Sequence, residues 1–128
     1  MKCLGADFII DFLSNDSGAV KKALELRNEN LVTTPLQVFE VFHYLRKTGK
    51  GDEKTLGKVG DFFSNIEILE LGHREAFKAS ELKAKASENK AQGNEEMTAG
   101  ILLSYGCSHI ITRQGENFVS AGIKMERY

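Results

Sequence analysis

The feature that most constrains the fold is an alternation along the chain. Short apolar runs are separated by longer segments in which apolar residues recur at helical spacing. The runs are Lys2-Cys3-Leu4, Leu31-Val32-Thr33, Ile66-Glu67-Ile68-Leu69, His109-Ile110-Ile111-Thr112 and Ile123-Lys124-Met125-Glu126. Between them, Phe8 to Leu13, Val20 to Leu26, Leu36 to Leu45, Asp52 to Ser64, His73 to about Ala91 and Glu95 to Tyr105 read as helices. Strands that alternate with helices are joined by crossovers, so the sheet is expected to be mostly parallel and covered on both faces. The expectation is a single three-layer α/β/α sandwich spanning residues 1–128.

The punctuation agrees with this division. Thr34-Pro35 offers an N-cap followed by proline at the first helical position. Ser14 to Gly18, Thr48 to Gly51 and Gly93-Asn94 break helices, and Gly106 closes the last one. Composition adds exclusions. With 17 Lys and Arg against 18 Asp and Glu, a net charge of −1 gives no global attraction to nucleic acid or anionic lipid. Any RNA or DNA contact must come from a local patch. No apolar run is long enough to span a bilayer. Asp7 arrives before a signal-peptide core could form, so a cytoplasmic protein with no membrane partner is expected. Cys3 and Cys107 lack the spacing of a zinc site and read as reduced thiols.

In an open parallel sheet, ligands collect beyond the carboxyl ends of the strands. The residues there are Gly5 to Asp7, Thr33-Thr34, Leu71 to Arg74 and Thr112 to Gln114. Glu40 stands between Val38-Phe39 and Val41-Phe42, where an ionised carboxylate is costly unless paired or metal-bound. Gln37 and Tyr44 share its face, so a solvated stripe explains it equally well. Glu95 and Glu96 begin a helix, where acids complement the dipole without further purpose. Asp7 and Asp11 admit the same bland explanation near the first helix.

Taken in order, four segments resemble the PIN domain family, and within it the small VapC-type toxins of toxin–antitoxin pairs. They are Cys3-Leu4-Gly5-Ala6-Asp7-Phe8-Ile9-Ile10-Asp11-Phe12-Leu13, Thr33-Thr34-Pro35-Leu36 to Glu40, Glu95-Glu96-Met97-Thr98-Ala99-Gly100-Ile101, and Ile110-Ile111-Thr112-Arg113-Gln114 with Asn117-Phe118 beyond. The resemblance implies a Mg²⁺- or Mn²⁺-dependent endoribonuclease whose carboxylates converge at the sheet's carboxyl edge. It also implies a homodimer silenced by an antitoxin-like protein. Carried over by position, the catalytic and metal-binding residues are Glu40 and Glu95, with Asp7 as the nearest further acid. Arg113, Thr112 and Thr34 are the expected RNA contacts.

The sequence departs from the pattern at defined places. Gly5 stands where the family's first Asp belongs and Ala6 where its Thr belongs. Glu95 replaces an Asp, and neither Gln114 nor Asn117 supplies the last acid. Fewer anionic ligands weaken the hold on a hard cation. Three accounts therefore stay open: a degenerate domain that binds but does not cleave, a natural or engineered active-site variant, and an active enzyme in which Asp7 substitutes. The alternative to a ribonuclease is a non-catalytic interaction module that binds an antitoxin-like peptide or an RNA-processing partner.

Overall fold

The computed structural model describes residues 1–85, 95–115, 118–119 and 121–128. Five strands, β1 (Lys2–Leu4), β2 (Leu31–Thr33), β3 (Glu67–Ile68), β4 (His109–Ile111) and β5 (Lys124–Glu126), form one sheet in the order β3-β2-β1-β4-β5. Every pairing is parallel, β5 included. Among the described residues the strands are accompanied by the helices α1 (Ala6–Leu13), α2 (Ser17–Glu25), α3 (Pro35–Lys47), α4 (Glu53–Ser64), α5 (His73–Lys85) and α6 (Glu95–Ser104). The Gly93-Asn94 break and the end of the helix expected to reach Ala91 lie outside the described residues.

The central strand β1 shows how the layers arise. Successive side chains of a strand point to opposite faces. Cys3 joins Val32, Ile110, Ala99, Ile101 and Leu102 in a core shared with α6, against which Leu82 of α5 also packs. Leu4, one residue on, joins Ile111, Phe8, Ile9, Val41, Val59 and Phe63 in a second core shared with α1, α3 and α4. Helices thus cover both faces. The Cys3 and Cys107 thiols are free, and burial pushes both up from the ordinary thiol range.

Local chemistry fixes the helix starts, at the expected places for α3, α4 and α5, while α2 begins at Ser17, inside the Ser14–Gly18 stretch expected as a break. Thr34 caps α3, with its side chain accepting from the Leu36 N–H at 3.3 Å and Pro35 at the first helical position. Asp52 caps α4 by accepting from Thr55 N–H at 3.1 Å, and Asp16 caps α2 from Ala19 N–H at 2.9 Å. The start of α5 is secured by Glu75, which accepts from the Gly72 N–H at 3.1 Å. That hydrogen bond, with Arg74 alongside, holds the Glu75 carboxyl below its usual range.

Glu126 of β5 closes an ion cluster, 2.7 Å from Lys2 Nζ and 3.2 Å from Lys22 Nζ. The hydrogen bond from Lys2, then that from Lys22, holds its carboxyl below the usual carboxylate range. A carboxylate lowered in the folded state stabilises that state above its unfolded value, and the benefit disappears as pH falls through the folded value. Glu126→Gln should therefore flatten the acid limb of the stability curve below about pH 4.5. Urea midpoints of the two proteins, measured from neutral pH downward, should converge in acid. A constant gap would remove Glu126 from the acid response.

Candidate functional site

At the carboxyl edge of the sheet lies a pocket of about 140 Å³, lined by Gly5, Ala6, Asp7, Gln37, Glu40, Glu95, Thr98, Ile110, Thr112, Gln114 and Phe118. Four elements converge there. The turn from β1 into α1 brings Gly5 to Asp7, and α3 brings Gln37 and Glu40, one helical turn apart. In the same way α6 brings Glu95 and Thr98, while the segment after β4 brings Thr112 and Gln114.

A polar bridge sets the distance between the two carboxylate-bearing helices. Thr34 Oγ1 donates to Gln37 Oε1, and Gln37 Nε2 donates to Thr98 Oγ1 at 3.1 Å. Thr34, Gln37 and Thr98 are all buried. With every member hydrogen-bonded, such a network stiffens the wall it crosses. Sequence reasoning offered a solvated stripe for Gln37, which is instead buried, and assigned no role to Thr98. The signal was present: each stands three residues from an acid of the site, on the same helical face. One oxygen of Glu95, Oε2, is buried with no hydrogen-bond partner among the described residues. The neighbouring Glu96 is buried but does not line the pocket.

Asp7 was expected to serve as the further metal-binding acid, and the geometry commits it elsewhere. Its Oδ1 accepts from the Phe8 N–H at 2.8 Å and its Oδ2 from the Arg113 N–H at 2.8 Å. Thr112 Oγ1 lies 2.9 and 2.8 Å from the same two oxygens. Three donors occupy most of the roughly four acceptor positions of a carboxylate. Among the described residues, no group of three or more His, Cys, Asp or Glu side chains is placed to hold a metal ion. The donor set that remains, Glu40 and Glu95 with neutral amides and hydroxyls, does not fit the several-carboxylate metal centre that the sequence resemblance implied.

The expected RNA contacts are redistributed too. Thr34 is fully buried, and its hydroxyl serves the Gln37 bridge and the α3 cap, so it cannot reach RNA. Thr112 does line the pocket, but its hydroxyl is turned to Asp7. Arg113 lies outside the pocket lining. Its guanidinium is 3.2 Å from Asp11 Oδ2 and 3.1 Å from Asp16 Oδ2, and stacks 4.4 Å over the Tyr128 ring. Tyr128 in turn donates to Asp11 at 2.7 Å. Burial, reinforced by that carboxylate, pushes the Tyr128 phenol upward. Gln114 lines the pocket, whereas Asn117 lies outside the described residues.

Comparison with known proteins agrees with this architecture. A DNA-bound VapBC2 structure from Rickettsia felis matches with a TM-score of 0.80 at 17% identity, covering 98% of this chain and 97% of that one. The DNA-bound VapBC of Salmonella typhimurium gives 0.79 at 19%, covering 98% and 96%. VapC20 of Mycobacterium tuberculosis, a toxin that cleaves the sarcin–ricin loop, gives 0.77 at 12%, covering 96% of each chain. At such identities the likeness is one of fold. No curated protein matches the sequence. The sequence model of the PIN domain matches residues 2–118, nearly the whole chain, and this chain therefore belongs to the PIN domain family.

Proposed function

We propose that this chain is a VapC-type PIN domain that acts by binding an antitoxin-like protein at the carboxyl edge of its sheet, without cleaving RNA there. The observation that carries the reading is the occupied state of Asp7. With that carboxylate held by Thr112, Arg113 and Phe8, and with glycine at position 5, two acids of the pocket lining stand beside it, Glu40 and Glu95. Two carboxylates, that of Glu95 with a buried oxygen that has no hydrogen-bond partner among the described residues, suit a donor-rich side chain of a protein partner. Structures of toxin–antitoxin complexes among the matches support a partner of that kind. Apolar surface for a second copy of the chain is also present, since Phe39, stacked on His43, and Phe77 are both well exposed.

The test combines a binding and a cleavage measurement on the unmodified chain. Titration calorimetry with MnCl₂ should give no saturable heat, and RNA incubated with Mg²⁺ or Mn²⁺ should stay intact. The product of an adjacent small reading frame, co-expressed with the tagged chain, should co-purify, and Glu95→Gln should weaken that complex. A second reading, a divalent-metal-dependent endoribonuclease, is favoured by the presence of Glu40 and Glu95 on one pocket. Metal-dependent cleavage that Glu40→Gln abolishes would establish the second reading and dismiss the first.

A further inference from the structure

Position 5 is more than an acid deleted from an otherwise open site. Gly5 has φ −71° and ψ 158°, a conformation open to any residue, so backbone freedom does not explain the glycine. Space does. The Gly5 N–H donates to the Ile111 carbonyl at 2.9 Å, which seats the end of β1 against β4. A Cβ at Gly5 would lie 2.8 Å from that same carbonyl oxygen, 3.0 Å from Asp7 Oδ1 and 3.2 Å from Thr112 Cβ. The first of these is backbone of an inner strand and has no rotamer through which to withdraw. Any side chain at this position must push β1 and β4 apart.

The space that a side chain would need is closed by Asp7. Its carboxylate bridges the first turn of α1 to Thr112 and Arg113, the segment that carries the pocket wall beyond β4. That segment is fixed from other directions as well. The Thr112 N–H donates to Glu126 O at 3.0 Å, Arg127 donates to Arg113 O at 3.1 Å, and the Arg113 guanidinium is held by Asp11 and Asp16. These contacts join α1, the start of α2 and the segments that follow β4 and β5 beside the pocket, through hydrogen bonds and ion pairs between side chains of the chain itself.

We infer that Gly5 and Asp7 are fitted to one another as a hydrogen-bonded closure at the pocket's edge, so that the chain's own Asp7–Thr112–Arg113 contacts hold the pocket's shape with no contribution from metal, and the site rejects an acid restored at position 5. The inference deepens the binding reading above, because it states why the site is committed to binding. Asp7 is in this account a positioning residue, acting through the Thr112–Arg113 segment.

The test is thermal melting of the whole chain, with and without excess MnCl₂. Gly5→Ala and Gly5→Asp should each lower Tm by roughly 5–10 °C, the effect of overpacking in a chain of this size. Manganese should recover neither. Thr112→Val, which keeps the shape and removes the hydroxyl, should lower Tm by about 5 °C, and Thr112→Ser should recover most of it. The Thr112 pair keeps the inference testable if the Gly5 variants do not fold. Two results would overturn it: Mn²⁺ raising the Tm of Gly5→Asp above that of the parent, or Mn²⁺ raising the parent's own Tm through an effect that Asp7→Asn abolishes. Equal Tm values for Thr112→Val and the parent would also overturn it. RNA cleavage by the unmodified chain would instead count against the binding reading and leave these melting results standing.

Discussion

Alanine at Gly100 will destabilise the chain by about 2 kcal/mol, whereas alanine at Gly57 or Gly60 will stabilise it by about 0.5–1 kcal/mol. All three glycines lie inside helices, where alanine is intrinsically preferred. Their surroundings reverse the sign. A Cβ at Gly100 would sit 2.7 Å from Ala79 N and 2.8 Å from Ala79 Cα and Cβ, directly against the backbone of α5. At Gly57 and Gly60 of α4, a Cβ would meet nothing within 4 Å. Gly100 therefore allows α5 and α6 to approach backbone to backbone, and a methyl group there acts as a wedge. Helix propensity offsets part of the strain but not its larger share. Urea unfolding of the three single variants reads the contrast directly. A stabilised Gly100→Ala protein would show that the α5–α6 contact is looser than this packing requires.

Phe8→Ala should cost more, about 3–5 kcal/mol. Phe8 is 2% exposed and belongs to the core under α1. Its ring stacks with Phe12 at a centroid distance of 6.2 Å and meets Tyr128 edge-on at 5.1 Å. Truncation leaves a cavity with Ile9 and Val41 in the same tightly packed cluster, which limits how far the site can collapse. It also removes an aromatic support of Tyr128, the ring over which Arg113 stacks. Loss of Tm should therefore be joined by a change in the Tyr128 environment, visible in near-ultraviolet circular dichroism. An unchanged tyrosine signal, despite the lost stability, would separate the core from the Arg113 cluster.

Most of the architecture was legible in the sequence because it is written locally. Thr34-Pro35 marks a helix start through its own hydrogen-bonding and dihedral preferences, whatever surrounds it. The alternation of Cys3 and Leu4 between two cores follows from the pleat alone. Boundaries were harder at the sheet edge. The run Ile66 to Leu69 contributes only Glu67 and Ile68 as a strand, where one neighbouring strand rather than two fixes the pairing. Glu40 could be singled out because a carboxylate among apolar residues is conspicuous in any context, whereas Glu95, an ordinary first-turn acid by itself, was reached only through the family resemblance. The direction of Asp7 could not be read. Its side chain is decided by Thr112 and Arg113, more than a hundred positions away in the chain. The same holds for Arg113, which reads as a lone basic residue beside a motif until Asp11, Asp16 and Tyr128 are brought to it. Spacing along one helix reveals which residues share a face; the hydrogen bonds between elements depend on the completed sheet.

The strand order carries a consequence for how the chain reaches its native state. β1 occupies the middle of the sheet, with β2 on one side and β4 on the other. Its pairing of Cys3 with Ile110 joins residues at nearly opposite ends of the sequence. On the ribosome, residues 2–4 must therefore wait with one edge unpaired until residues 109–111 have emerged. During that interval the apolar β1 edge is exposed to other chains, and the long loop that must close slows the final step. Folding should be late and concerted, with the pocket assembled in the same event that gives β1 its second neighbour.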